Sequence, residues 1–246
     1  MPKKKNYLIY NEGNIPLILS APHTGTISPI HIPDRTEGVL VRDTYTKEIL
    51  KNLVRYFDYH PYYIYSGIHR KKVDLNRDWK EATQGNGIAM TVWKTWHNII
   101  GSFLEDSIKE FGRVLYIDLH SHNNADEFHL GYGLNKYEYR RLIYGEYVRK
   151  SSLFGLNPDE RMADYDMIFR KGSFEDLLKG KGYKVHYPFT SEIYFGGGYN
   201  IERYSVNNVG AVQIEIPVSV AEKNVGKLSE DLGECINEFL AEFVMR

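Results

Sequence analysis

The chain holds a single cysteine, Cys235, in 246 residues. An intrachain disulfide is therefore impossible, and so is a zinc cluster built on thiolates. The shortage fits a reducing compartment, and a cytoplasmic location is the expectation. Apolar runs long enough to span a bilayer are missing. The first residues carry Lys3-Lys4-Lys5 instead of the apolar stretch of a secretory signal. No membrane partner is expected. Charge of one sign is missing as well: 31 Lys and Arg stand against 32 Asp and Glu. There is no basic stripe with interleaved aromatics, so no nucleic-acid partner is expected. Internal repeats and low-complexity segments are also absent.

What is present is an alternation of strand-like and helix-like segments. Residues 15–21 and 113–119 are short apolar runs that read as strands. Tyr62–Tyr65 is rich in strand formers and is closed by Gly67, and Gly210–Ile216 reads as a further strand. Helical spacing of apolar residues marks 42–57 and, most clearly, 91–111, which Gly112 ends. Weaker helical patterns cover 136–150 and 172–180, and a long one covers 219–244. The stretch 121–135 and Gly196-Gly197-Gly198 read as loops. This order predicts an α/β domain spanning residues 1–246. Its sheet is expected to be mixed and mostly parallel, with helices on both faces. The oligomeric state is not legible.

Two of the strand-like runs end on histidine. Ile15–Ala21 leads into Pro22-His23-Thr24-Gly25, and Val114–Leu119 leads into His120-Ser121-His122. In open α/β sheets ligands collect beyond the carboxyl ends of the strands, so His23 and His120 are candidate metal ligands. A catalytic zinc commonly takes a third protein ligand. Asp43, Asp118 and His122 are the candidates, and Asp118 can instead orient a ligand histidine. Taken singly, each histidine also fits an ordinary loop-entrance residue.

Other groups suit chemistry on an acidic substrate. The pair Asn76-Arg77 can hold a carboxylate, the guanidinium binding it in bidentate fashion. The plainer alternative is a surface ion pair of Arg77 with Asp74 or Asp78. Arg70 can stabilise an oxyanion, or belong to the exposed run Arg70-Lys71-Lys72. Glu215 can act as a general base, although Gln213 and Glu215 also alternate with apolar neighbours as on a half-solvated strand. Arg203 is a candidate second anion clamp or a plain surface residue.

These pieces, in this order, resemble the N-formylglutamate amidohydrolase family. The matching text is SAPHTG at 20–25, RDT at 42–44, RKKVDLNRD at 70–78, DLHS at 118–121, GGY at 197–199 and QIEI at 213–216. The family is related to the zinc carboxypeptidases and the aspartoacylase-type deacylases. The resemblance implies a zinc-carboxypeptidase-like (phosphorylase/hydrolase-like) architecture and one zinc ion. It implies a metal-dependent amidohydrolase, acting on an amide close to a carboxylate in a small acidic substrate. His23 and His120, with Asp43 as third, are the implied metal ligands. Arg77 with Asn76 is implied on the substrate carboxylate, and Glu215 as general base. Arg70 on the oxyanion and Arg203 on a second carboxylate complete the expected set. The chain departs from the family pattern at Trp79–Gly85 and Pro217–Val220, so its acyl pocket is expected to differ. A zinc carboxypeptidase or another N-acyl amino-acid deacylase is the nearest alternative. A non-catalytic protein holding an acidic metabolite is a further one.

Overall fold

A computed structural model describes residues 7–146, 151–156, 163–186 and 194–245. Seven strands form one mixed sheet: β1 (Leu8–Asn11), β2 (Leu17–Ala21), β3 (Tyr62–Ser66), β4 (Val114–His122), β5 (Glu127–Gly131), β6 (Lys184–Val185) and β7 (Val209–Pro217). The spatial order is β1-β3-β2-β4-β7-β5-β6. The pairings β3–β2, β2–β4, β4–β7 and β5–β6 are parallel, while β1–β3 and β7–β5 are antiparallel. The expected mixed, mostly parallel sheet is there.

Alternation along the strands splits the core in two. Leu17, Leu19, Leu115, Ile117, Val212 and Ile214 face one layer. That layer includes α1 (Thr46–Tyr56) and, from later in the chain, Leu228, Leu232, Ile236 and Phe239. Ile18, Ile64, Tyr116 and Ala211 face the other layer with Trp93, Trp96, Ile100 and Phe103. The short α2 (Trp79–Thr83), through Ala82, and α3 (Gly87–Phe111) belong to this second layer. The Asn86 side chain caps α3 by accepting from the backbone amides of Ile88 and Ala89. Gly112, at φ 80°, ends it.

Several boundaries differ from the sequence reading. The stretch 121–135, expected as loop, contains the rest of β4 and all of β5. Polar residues on a strand buried on both faces hide the apolar pattern there. The 136–150 pattern yields α4 (Lys136–Ile143), while 147–150 lie outside the described residues. The small helices α5 (Ala163–Phe169) and α6 (Phe174–Gly180) follow, then α7 (Tyr199–Tyr204). The helix expected over 219–244 is two, α8 (Val218–Ala221) and α9 (Val225–Phe243). They part at Asn224, whose side chain accepts from the Lys227 amide and restarts the helix. Cys235 is buried in α9, and burial pushes its thiol up to about 12, as befits an inert packed residue. Among the described residues no helix is long and apolar enough to cross a membrane.

Candidate metal centre

The second core layer turns polar toward the carboxyl ends of the central strands. Ser20, Asp118 and Gln213 lie side by side on β2, β4 and β7. Two residues further on, His120 and Glu215 pair across β4 and β7, and Glu215 pairs with His129 of β5. Residues two apart on a strand share a face. Asp118 thus stands beside His120, and Gln213 beside Glu215.

Three side chains converge. His23, Asp43 and His120 each offer one ligand atom, and these atoms lie within 4.8 Å of one another. His23 leaves β2 in a segment held against the end of β3. Thr24 donates to the Ser66 carbonyl, and Gly25 lies so close to the Ile68 carbonyl that a Cβ would sit 1.9 Å from its oxygen. The backbone amide of Asp43 donates to the His23 carbonyl, and the Ser121 amide donates to Asp43 Oδ2. Asp43 is therefore set by the segment that carries His23 and by the end of β4. It precedes α1 by three residues and is not an acid of that helix's first turn.

Each imidazole has a carboxylate behind it. His23 Nε2 lies 2.8 Å from Asp74 Oδ1, and His120 Nε2 lies 3.0 Å from Asp118 Oδ2. With those nitrogens donating, both rings present Nδ1 toward Asp43, at 3.7 Å from His23 and 3.1 Å from His120. His23 Nδ1 is buried and has no hydrogen-bond partner. An orphaned inward nitrogen, a second imidazole and a carboxylate, with the far nitrogens fixed by acids, form a donor set that fits a divalent ion.

The backing acids are themselves held. Arg70 Nε donates to Asp74 Oδ2 at 2.9 Å, and Arg35 reaches the same oxygen at 3.3 Å. Asp118 accepts from Ser20 through one oxygen and from Asn200 Nδ2 through the other. Burial works to raise Asp43 and Asp74. It is the largest single influence, but His23 with His120 at Asp43, and His23 with Arg70 at Asp74, together outweigh it, and both stay below the usual carboxylate range. Burial works to lower His120, but Asp118 and Asp43 hold it well above the ordinary imidazole range. Glu215 is different. Burial is the largest influence, the charges of Asp43 and Asp118 add to it, and the carboxyl is pushed up to about 7 despite His120 and Arg70. Gln213 Nε2 donates to its Oε1 at 3.0 Å. All nine residues of β7 are buried, so Glu215 is not on a half-solvated strand.

The other sequence candidates fall in different places. Arg70 is buried in the site, 3.9 Å from Asp43. Asn76 is buried beside His120, and its Oδ1 accepts from the Asn200 amide. Arg77 is partly exposed. It pairs with Glu81 at 3.0 Å, not with Asp74 or Asp78, and it also donates to the Asn76 carbonyl. Arg203 is exposed, donates to the Tyr199 hydroxyl and lies 5.7 Å over the Trp93 ring. His122 is a buried strand residue. Its Nε2 donates to the Glu127 carbonyl, and its Nδ1 accepts from the Asn124 amide.

Sequence reasoning missed Arg35, Asn200, His129 and His186. Arg35 and His129 belong to no motif, and His186 follows a two-residue strand. Asn200 directly follows the GGY triplet, and that adjacency was the one usable signal.

No family model matches the chain, and no curated protein matches it in sequence. Solved structures do resemble it. The N-formylglutamate amidohydrolase of Ralstonia eutropha superposes with a TM-score of 0.60 at 16% identity, over 96% of this chain and 98% of that one. A bacteriophage poly-γ-glutamate hydrolase gives a TM-score of 0.43 at 13% identity, over 96% and 87%. The succinylglutamate desuccinylase of Chromobacterium violaceum gives 0.42 at 11% identity, over 93% and 61%. The first likeness establishes a shared fold.

Proposed function

We propose that this protein is a zinc-dependent amidohydrolase of the N-formylglutamate amidohydrolase type, cleaving an amide bond close to a carboxylate. The observation that carries the reading is the convergence of His23 Nδ1, His120 Nδ1 and the Asp43 carboxylate, with Glu215 on the neighbouring strand. The fold likeness to an N-formylglutamate amidohydrolase supports it.

His23, Asp43 and His120 would hold a divalent ion, which when bound would supply Lewis acidity toward a carbonyl oxygen and make water more acidic. Glu215 accepts the proton of the attacking water. Burial raises the Glu215 carboxyl above its ordinary value in the metal-free protein, which makes it a stronger base toward that proton. As the carbon–nitrogen bond breaks, the proton passes to the leaving nitrogen, so a carboxylic acid and an amine result. Gln213 fixes one Glu215 oxygen and leaves the other free for this transfer. Arg70, held on Asp74, faces the developing oxyanion. Arg77 takes the substrate carboxylate by exchanging it for Glu81.

The test is elemental analysis of the purified protein, followed by chelation, zinc addition and assay on N-formyl, N-acetyl and dipeptide substrates. One zinc per chain and restored turnover are expected. The preferred member of the panel separates an amidohydrolase from a carboxypeptidase. Glu215→Gln should abolish turnover while zinc stays bound. The binding-protein alternative predicts the opposite pattern. The zinc-loaded wild type would then turn over none of the panel, and the Glu215→Gln variant would bind acidic amino-acid derivatives as tightly as the wild type does.

A further inference from the structure

The short stretch Gly198-Tyr199-Asn200 reaches Asp118 directly, and Asp74 and Glu215 through one side chain each. It opens α7, and the first amides of a helix have no partner within it. Here they address side chains. The Gly198 amide donates to Gln213 Oε1 at 2.9 Å, and the Asn200 amide donates to Asn76 Oδ1 at 2.8 Å. A backbone amide can only donate, so each carboxamide is fixed by its oxygen. Gln213 must then turn Nε2 to Glu215, which it meets at 3.0 Å. The backbone amide of Asn76 donates to Asp74 Oδ1 at 3.0 Å. The stretch is itself tied to the chain just beyond β5, where the Gly133 amide donates to the Gly196 carbonyl at 2.6 Å.

The Asn200 side chain makes the direct contact. Its Nδ2 donates to Asp118 Oδ2 at 3.0 Å, the oxygen that also takes the His120 ring N–H. Asn200 is fully buried, and its Oδ1 has no hydrogen-bond partner among the described residues. Buried polar atoms are nearly always paired, so this oxygen is a burden that packing alone does not explain. Turning the carboxamide over gives no relief, because Oδ1 would then face Asp118 Oδ2, acceptor against acceptor. A leucine branches at the same carbon and would fill the space without an orphaned oxygen. What asparagine adds at this position is the N–H on Asp118. Without it Asp118 keeps Ser20 on one oxygen and the imidazole on the other, and the carboxylate is free to pivot with the ring.

We propose that Asn200 is a positioning residue of the metal centre. By donating to Asp118 it fixes the carboxylate behind His120, and with it the direction in which His120 Nδ1 meets a divalent ion. The inference rests on the reading of His23, Asp43 and His120 as metal ligands, not on the substrate or the hydrolytic step.

The test is zinc affinity by chelator competition on the full chain, comparing the wild type with Asn200→Leu, Asn200→Ala and Ile201→Val. Leucine keeps the volume of the side chain and alanine removes it, so the two variants load the fold differently. Ile201 is the next residue of α7, fully buried in the apolar second layer. Trimming it loosens the same turn and leaves the hydrogen bond to Asp118 in place. Both Asn200 variants should bind zinc about tenfold more weakly, the low end of the effect of losing a group behind a ligand. Ile201→Val should bind as the wild type does. At saturating cobalt(II) the visible spectrum should change in the Asn200 variants and stay unchanged in Ile201→Val. Wild-type affinity in either folded Asn200 variant would overturn the proposal. So would an equal loss in Ile201→Val, which would make the role one of packing. A wild type that binds neither zinc nor cobalt would overturn it together with the metal reading. Weakened zinc binding in the Asn200 variants of a chain that hydrolyses none of the substrates supports the proposal and counts against the hydrolase reading alone.

Discussion

Replacing Glu215 by glutamine should make the metal-free protein more stable at neutral pH, by an amount the burial of the site dictates. The carboxyl has an ordinary value of 4.5 and is raised to about 7 in the fold. Below pH 4.5 it is protonated in both folded and unfolded chains and contributes no difference. Between 4.5 and 7 the unfolded chain releases the proton while the folded one keeps it, so stability falls as pH rises. Above 7 the loss is complete. A gap from 4.5 to about 7, at about 1.36 kcal/mol per pH unit, gives about 3 kcal/mol. Glutamine has nearly the same shape and no charge to bury. Urea unfolding of chelator-treated wild type and Glu215→Gln from pH 4 to pH 8 measures the difference. It should be near zero at pH 4 and grow to about 3 kcal/mol at pH 8. Other titrating groups are common to both chains and largely cancel. Zinc should shrink the gap, because a dication beside Glu215 favours its ionised form. A difference that is flat with pH, or that favours the wild type at pH 8, would refute a buried, proton-holding Glu215.

Asp74→Asn should weaken zinc binding about 10–100-fold, the usual effect of losing a carboxylate behind a ligand histidine. Chelator competition reads this directly, and an unchanged affinity would remove Asp74 from the site. Arg77→Ala should raise KM for carboxylate substrates about tenfold with little change in kcat. Glu81→Gln should lower KM, because it frees Arg77, while stability shifts by less than about 1 kcal/mol for an exposed pair. Gly198→Ala should cost about 1–3 kcal/mol, since its Cβ would lie 2.3 Å from Asn76 Nδ2. Thermal unfolding checks that figure, and Asn76→Ala in the same chain should recover part of the loss.

The parts of the molecule legible in the sequence are those where periodicity and position coincide. The run Leu17–Ala21 is wholly buried, so its apolar letters mark the strand and its end marks His23. In β4 and β7 the spacing Asp-x-His and Gln-x-Glu puts each site residue on one face with the group that touches it. What stayed hidden depends on contacts distant in sequence. Arg35 lies in a segment without regular structure and gains meaning only where Asp74 folds back onto it, 39 residues later. His129 was concealed because β5 places polar residues at alternate positions and reads as loop. Arg77 shows the converse. Its motif is local and visible, but the partner it meets, Glu81, comes from the first turn of α2 just beyond.

Hydrogen-bond capacity bears on which acid can serve as the third ligand. Asp118 is completely buried, and both of its oxygens are committed. Ser20 takes Oδ1, while His120 and Asn200 share Oδ2. Drawing that carboxylate onto a cation would leave buried donors on Ser20 and Asn200 unpaired, which is destabilising. His122 has both ring nitrogens engaged with the backbone. Asp43 is held more loosely. Apart from the two imidazoles, Oδ2 receives one 3.3 Å bond from the Ser121 amide, and Oδ1 has Arg70 at 3.9 Å. It therefore has unused lone pairs on the side where His23 Nδ1 is orphaned. The same accounting gives each acid its task. Asp74 and Asp118, saturated by the chain, can only orient imidazoles, while Asp43, left short of donors, is the one with capacity for an ion.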